Sequence, residues 1–224
     1  MIPWERLDAV TLEDGVELKL MRRGSEYSIM LGANELMNSR LSGSEEALAR
    51  LAAEKLQGRQ APRLLIGGLG MGFTLRAGLE ALGGDASLTV AELVPEVIAW
   101  AKGPMAEVFN GCLQDPRVTL HQGDVGALIA DSEQAWDAIL LDVDNGPDGL
   151  TRQGNDALYS AHGLARAHRA LRPGGIFSVW SSAPDPAFTR RLKQAGFQVA
   201  EVPTRASTKK RGARHMIWLA TRPG

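Results

Sequence analysis

The chain has one cysteine, Cys112, among 224 residues. That excludes an intrachain disulfide and a cysteine-built zinc site, and it fits a reducing compartment. The histidines at 121, 162, 168 and 215 have no metal-ligand spacing. His162 and His168 are separated by the wrong interval to share a helix face, so no metal is expected. Charge of one dominant sign is missing too: a net charge of −1 offers no electrostatic reason to expect nucleic acid as a partner. No apolar run is long enough to span a bilayer, so no membrane partner is expected. The opening Met1-Ile2-Pro3-Trp4-Glu5-Arg6 lacks the basic-then-apolar pattern of a signal peptide, and a cytoplasmic location is the expectation. Internal repeats and low-complexity segments are absent. A hydrophobic content of 44% argues against a disordered chain and suffices for one α/β core.

What the chain does have is glycine in one place. In Leu64-Leu65-Ile66-Gly67-Gly68-Leu69-Gly70-Met71-Gly72 an apolar run ends in glycines at 67, 68, 70 and 72, with a helix-like segment after them. Glycines there let the backbone turn sharply and come close to a ligand. About twenty residues later a second apolar run, Leu88-Thr89-Val90-Ala91, ends in Glu92, the spacing at which nucleotide-binding α/β folds place an acid for ribose hydroxyls.

From Arg63 onward strand-like and helix-like stretches alternate. The strand-like runs are 64–66, 88–91, 118–121, 138–141, 176–180 and 197–202; the helix-like stretches are 73–82, 95–110, 125–130, 155–171 and 186–195. Short, wholly apolar strands of this kind belong to a parallel sheet covered on both faces. A last strand, 215–220, follows too short a loop for a helical crossover, so it should pair antiparallel with its predecessor. The expected fold is a Rossmann-like, doubly wound, mostly parallel seven-stranded sheet with an antiparallel terminal strand. Residues 1–43 read as a short N-terminal β region, with strands at 16–20 and 27–31 flanking the turn Arg23-Gly24-Ser25-Glu26. Residues 44–224 form the main domain. Ser44 is the expected N-cap of a helix carrying Ala47, Leu48, Leu51, Ala52 and Leu56, with Gly58 as its stop.

Ligands of open α/β sheets collect at the carboxyl ends of the strands. Here those ends carry the glycines, Glu92, Asp124 and Asp142 in succession. Asp124 alone could be a helix cap. Asp142, after a run of apolar residues, is costly to bury without a partner. A sulfonium donor such as S-adenosylmethionine would supply one, because its sulfonium and amine are positive and its ribose and adenine offer hydrogen-bond donors. A pyrophosphate at the first helix N-terminus is the alternative, and the strand-end acids suit a cation better.

From about Leu41 onward the sequence resembles the spermidine synthase-like branch of the class I S-adenosylmethionine-dependent methyltransferase superfamily. The resemblance lies in Leu65-Ile66-Gly67-Gly68, Ala91-Glu92-Leu93 before Pro95-Glu96-Val97-Ile98, Asp115-Pro116-Arg117-Val118, Gly123-Asp124, Trp136 to Asp142, Leu158-Tyr159-Ser160 and Leu171-Arg172-Pro173-Gly174-Gly175-Ile176. It implies a cofactor site of Gly67, Gly68, Gly70, Gly72, Glu92, Leu93, Asp124, Val125 and Asp142. It implies that Asp142 is the acid that helps deprotonate an attacking amine, with Asp144 in support, and that residues 145–159 close over the substrate. A homodimer is expected from the resemblance alone.

The sequence also departs from the family. Polyamine synthases carry Asp-x-x-Asp-Pro after the fourth strand, and this chain reads Asp142-Val143-Asp144-Asn145-Gly146-Pro147. Their acid-rich segment with a Tyr-His pair corresponds to Ser44-Glu45-Glu46-Ala47-Leu48-Ala49-Arg50, which has neither residue. Asp144 could equally be a turn residue. The donor is therefore S-adenosylmethionine or its decarboxylated form, and the missing pair tilts the expectation towards methyl transfer to a small-molecule acceptor, an amine among the candidates. Aminopropyl transfer to a polyamine is the alternative; a non-catalytic S-adenosylmethionine-binding protein and a nicotinamide-dependent oxidoreductase are the competing classes. The basic run from Lys209 to Arg214 reads as a solvated loop, or else a lip that recruits an acidic substrate or RNA.

Overall fold

The apolar run Leu64-Leu65-Ile66 is buried at 0–1% exposure because it forms the middle of strand β5 (Arg63–Gly67), at the centre of the main sheet. A computed structural model describes residues 2–143, 157–207 and 212–224. Parallel neighbours flank β5: β6 (Ser87–Glu92) on one side and β8 (Trp136–Leu141) on the other. β7 (Val118–Gln122) lies beyond β6, and β9 (Leu171–Ser181) beyond β8. β10 (Gln198–Arg205) and β11 (Arg214–Thr221) complete the order β10-β11-β9-β8-β5-β6-β7, with β11 antiparallel to both its neighbours. The antiparallel closing strand is as the sequence predicts. The chain winds outwards from β5 to β7 and then returns to β8 on the other side of β5. That reversal opens a crevice between the carboxyl ends of β5 and β8, the place where such sheets take ligands.

The N-terminal region is larger than a hairpin. Strands β2 (Glu17–Arg23) and β3 (Glu26–Leu31) turn at Gly24, and β1 (Glu5–Thr11) and β4 (Asn34–Asn38) extend them to a four-stranded antiparallel sheet. β1 and β4 are edge strands, largely exposed and rich in polar residues, and so carry little apolar alternation for a sequence reading to detect. Leu18, Leu20 and Ile29 of the inner face pack into the same core as Leu64, Ile66 and Leu88 of the main sheet. The indole of Trp100 also donates to Asp8 of β1 at 2.6 Å.

Several helix boundaries differ from expectation. Helix α1 is Gly43–Lys55, with Ser42 rather than Ser44 at the N-cap position and no side-chain bond to the first backbone N–H groups. Ser42 Oγ donates to Glu46 Oε1 at 2.8 Å, and Ser44 lies fully buried in the first turn. Helix α2 is Phe73–Ala81. The single helix expected over 95–110 is two, α3 (Pro95–Lys102) and α4 (Ala106–Phe109). Pro104 cannot donate to the helix ladder and forces the preceding Gly103 out of helical geometry, to φ −112° and ψ −109°. Helix α5 (Val125–Ala130) is as predicted, while the single helix expected over 155–171 is broken at Ser160: residues 157–159 are helical, and α6 (Ala161–Ala170) starts anew from a Ser160 cap. The segment Leu171-Arg172-Pro173-Gly174-Gly175 already belongs to β9. Helix α7 (Pro186–Gln194) begins where Asp185 accepts the N–H groups of Ala187 and Phe188.

At the opposite end of the sheet from the crevice, Asp137 of β8 is 2% exposed. It is bound by Arg59 at 2.5 Å, Arg172 at 3.0 Å and the backbone N–H of Arg63 at 2.9 Å. These contacts fasten β8 to the start of β5 and to β9. Removing the carboxylate leaves two guanidinium groups and a backbone donor without their acceptor. Asp137→Ala is expected to lower unfolding stability by about 2–3 kcal/mol, below the ~3–5 for a fully buried pair because water reaches both arginines; a denaturant titration of the two proteins measures it.

Candidate functional site

The cavity at the crevice is built from the ends of four parallel strands and roofed by the N-terminal sheet. Gly68, Gly70, Glu92, Leu93, Asp124, Val125 and Asp142 all line it, so most of the predicted site residues come together. Gly67 and Gly72 are not among the lining residues. Asp144 and residues 145–156 lie outside the described residues, as do Lys209, Lys210 and Arg211 of the basic run.

The glycine turn is a steric requirement. Gly68 has φ +91°, and a Cβ there would sit 2.5 Å from the backbone oxygen of Asp142. Gly72 has φ +75°, caps α2, and leaves room for the ring of Phe109, which a Cβ would meet at 2.5 Å. Both positions favour glycine on backbone grounds as well. The two strand ends are joined directly: Asp142 N–H donates to Gly67 O at 3.0 Å, and Gly68 N–H to Ala91 O at 2.9 Å.

Glu92 is held in place before any ligand arrives. Its Oε2 accepts the N–H of Leu69 at 3.0 Å and its Oε1 the N–H of Val94 at 2.9 Å. Carboxylate oxygens accept more than one hydrogen bond each, so an oriented pair of this kind can also take the two hydroxyls of a ribose. Asp124 plays two parts. Its Oδ1 caps α5 through Gly126 N–H at 2.8 Å, and the residue faces the cavity beside Val125. The cap that the sequence offered as an alternative to ligand binding is therefore present together with a place in the lining.

Asp142 is the most perturbed acid. Burial, and then the negative charge of Glu45, push its pKa up to about 7, against the opposing hydrogen bond from Thr74 Oγ1 at 2.6 Å. Glu45, from the first turn of α1, lines the same cavity, and burial raises its pKa too. The sequence reading did not place Glu45 in the site. The signal was available: Glu45 falls in the stretch that corresponds to the family's acid-rich segment. Trp180 of β9 also faces the cavity, and the apolar wall includes Leu18, Ile29 and Met37 from the N-terminal sheet. Among the described residues, no group of three or more His, Cys, Asp or Glu is arranged to hold a metal.

Chemically, the cavity offers an oriented acid for vicinal hydroxyls, a tight glycine turn, and a buried acid able to change protonation near neutrality. These residues fit a sulfonium nucleoside. The close approach at Gly68 makes the turn intolerant of any side chain: Gly68→Ala is expected to abolish binding of a sulfonium nucleoside, read by calorimetry, and to lower the melting temperature as well.

The spermine/spermidine synthase domain family matches residues 45–196. The chain is 33% identical over 97 residues to a polyamine aminopropyltransferase of Nitrosomonas europaea, covering 43% of this chain and 28% of that protein. It is 32% identical over 118 residues to the polyamine aminopropyltransferase of Korarchaeum cryptofilum, covering 53% and 34%. The match thus spans about a third of each relative's length. Among solved structures, a spermidine synthase in complex with the transition-state analogue AdoDATO superposes with a TM-score of 0.76 at 16% identity, over 97% of this chain and 72% of that one. The spermidine synthase from Thermotoga maritima gives 0.75 at 16% identity with the same coverage. At that identity the likeness establishes the fold.

Proposed function

The chain belongs to the spermine/spermidine synthase family, and from that premise we propose that it transfers an aminopropyl group from decarboxylated S-adenosylmethionine to an amine of the polyamine class. Methyl transfer, which the missing Tyr-His pair favours in the sequence, becomes the second reading. The observation that carries the choice is the charge of the cavity. Glu45, Glu92, Asp124 and Asp142 line it, and no lysine or arginine does among the described residues. The decarboxylated donor brings a sulfonium and an ammonium and no carboxylate. The intact donor would add a carboxylate to a wall that offers it no cation, and burying an unpaired anion is costly. The family match and the aminopropyltransferase relatives support the same side.

In this reading Glu92 holds the ribose, Asp124 with Val125 the adenine, and the glycine turn the aminopropyl side of the sulfonium. The chemistry is a displacement at the carbon beside sulfur. The leaving group is already activated, so the protein must align nucleophile and carbon and remove one proton from the amine. Asp142 is the base. A carboxylate with its pKa raised to about 7 is a better proton acceptor than an ordinary aspartate, yet still ionised in part at neutral pH.

Incubating the protein with each donor and 1,4-diaminobutane separates the two readings. Aminopropyl transfer releases 5′-methylthioadenosine and lengthens the diamine; methyl transfer releases S-adenosylhomocysteine. The first product pair from the decarboxylated donor is expected, and turnover of the intact donor alone would overturn the proposal. Because Asp142 is protonated below its raised pKa until the amine binds, kcat/KM for the amine should fall about tenfold per pH unit beneath pH ~7 and level off above it. Asp142→Asn should reduce kcat by about 10²–10⁴-fold with donor affinity retained.

A further inference from the structure

Three residues outside the glycine turn and the strand-end acids form one chain of hydrogen bonds that ends in the cavity. Ser44, fully buried in α1, has its Oγ 2.7 Å from Glu45 Oε2 and 2.9 Å from Nδ1 of His215 on β11. The His215 ring meets Trp180 edge-on, with centroids 4.8 Å apart. Glu45 and Trp180 both line the cavity beside Asp142.

Counting protons assigns the roles. A serine hydroxyl has one proton to give, and an ionised carboxylate only accepts. Ser44 therefore donates to Glu45, and its oxygen accepts from His215, which places the imidazole proton on Nδ1. Burial lowers the His215 pKa and keeps the ring neutral. The Glu45 carboxylate is thus clamped by a hydroxyl that strand β11 in turn orients.

The charges around Glu45 are negative on each side. Glu46, next to it on α1, is already paired with Arg50 at 3.0 Å. Asp142 faces it from the end of β8, and Glu92 and Asp124 line the same cavity from β6 and the start of α5. His215, from β11, is neutral. Among the described residues no lysine or arginine lines the cavity, so a ligand ammonium is the cation that would balance Glu45.

We propose that Glu45, positioned by Ser44 and His215, is the second acid of the acceptor subsite, binding the ammonium of the incoming amine while Asp142 takes its proton. The identity of the acceptor rests on the aminopropyl-transfer reading; the role of Glu45 as a cation anchor does not. The acceptor enters as R–NH3+. One N–H proton passes to Asp142, and the exposed nitrogen lone pair forms the N–C bond. The C–S bond breaks with its electron pair staying on sulfur, and the product leaves as a secondary ammonium still facing Glu45. Burial and the charge of Glu45 disfavour ionisation of Asp142, so it keeps part of a proton near neutral pH, and an arriving ammonium expels it.

Calorimetric titration of 1,4-diaminobutane into the full chain loaded with 5′-methylthioadenosine, in two buffers of different ionisation enthalpy, tests this. The wild-type protein should release protons on binding. Glu45→Gln should weaken binding about tenfold or more and reduce the proton release, since burial alone still raises the Asp142 pKa. His215→Phe, which keeps a ring against Trp180 and loses the donor to Ser44, should weaken binding, and His215→Asn, which restores an N–H donor, should recover part of it. Unchanged affinity and proton release in Glu45→Gln would overturn the inference, as would failure of the wild-type chain to bind the amine, or equal effects of the two His215 variants. Glu45-dependent amine binding without aminopropyl transfer would leave this inference standing and remove the transfer reading. Transfer with an acceptor KM indifferent to Glu45→Gln would do the reverse.

Discussion

The site depends on one main-chain joint, where the ends of β5 and β8 touch. Asp142 N–H donates to Gly67 O, and the backbone oxygen of Asp142 occupies the space that a Cβ on Gly68 would need. This joint sets the sharpness of the glycine turn, and the turn sets where Leu69 N–H points, which is at the carboxylate of Glu92. The acid that would take a ribose is therefore oriented by the backbone that would face the sulfonium. The three strand ends are coupled as a unit, and a change of register at β5 or β8 would disturb all of them. Asp137, with its two arginines, fastens the other end of β8, so the strand that carries Asp142 is fixed at both ends.

The second constraint is electrostatic. Placing Asp142 and Glu45 in one desolvated cavity costs stability, because burial raises both pKa values and the charge of Glu45 raises that of Asp142 further. Each has one hydroxyl donor, from Thr74 and Ser44, and these only partly offset the burial. Titratable groups whose surroundings push their pKa values towards neutrality concentrate at functional sites. Here the same strain that destabilises the empty cavity prepares it for a cation, since a ligand ammonium relieves both the repulsion and the desolvation of the acids.

The α/β core was legible because its signals are local and strong. Leu64–Ile66 and Ala138–Leu141 are unbroken apolar runs, and their burial on both faces is what such runs require. Glu92 and Asp142 were legible because each stands at the end of such a run. Less was readable where tertiary contact decides. β1 and β4 carry polar edge sequences and exist through pairing with β2 and β3. Ser44 looked like a helix cap by residue type, but the cap position falls to Ser42, and Ser44 is turned inwards to His215, a contact across 171 positions that no spacing rule anticipates. Pro104 gave a readable break that the apolar periodicity of 95–110 concealed.

Glu45 shows why a missing motif is weak evidence about a reaction. The absence of a Tyr-His pair near Ser44 argued against aminopropyl transfer when the sequence was compared with the family pattern. In the folded chain the first turn of α1 still presents a polar side chain to the cavity, and that side chain is a carboxylate opposite Asp142. What an amine acceptor needs from this wall is negative charge and a hydrogen-bond acceptor at a fixed position. A buried carboxylate held by Ser44 meets both needs without an aromatic ring, and Trp180 with His215 supplies ring surface from other strands. The motif is one arrangement of atoms that satisfies the chemistry, and in the proposed reading β9, β11 and α1 together supply another. On that reading, the departure from the family pattern bears on which amine fits the cavity more than on whether an amine can react there.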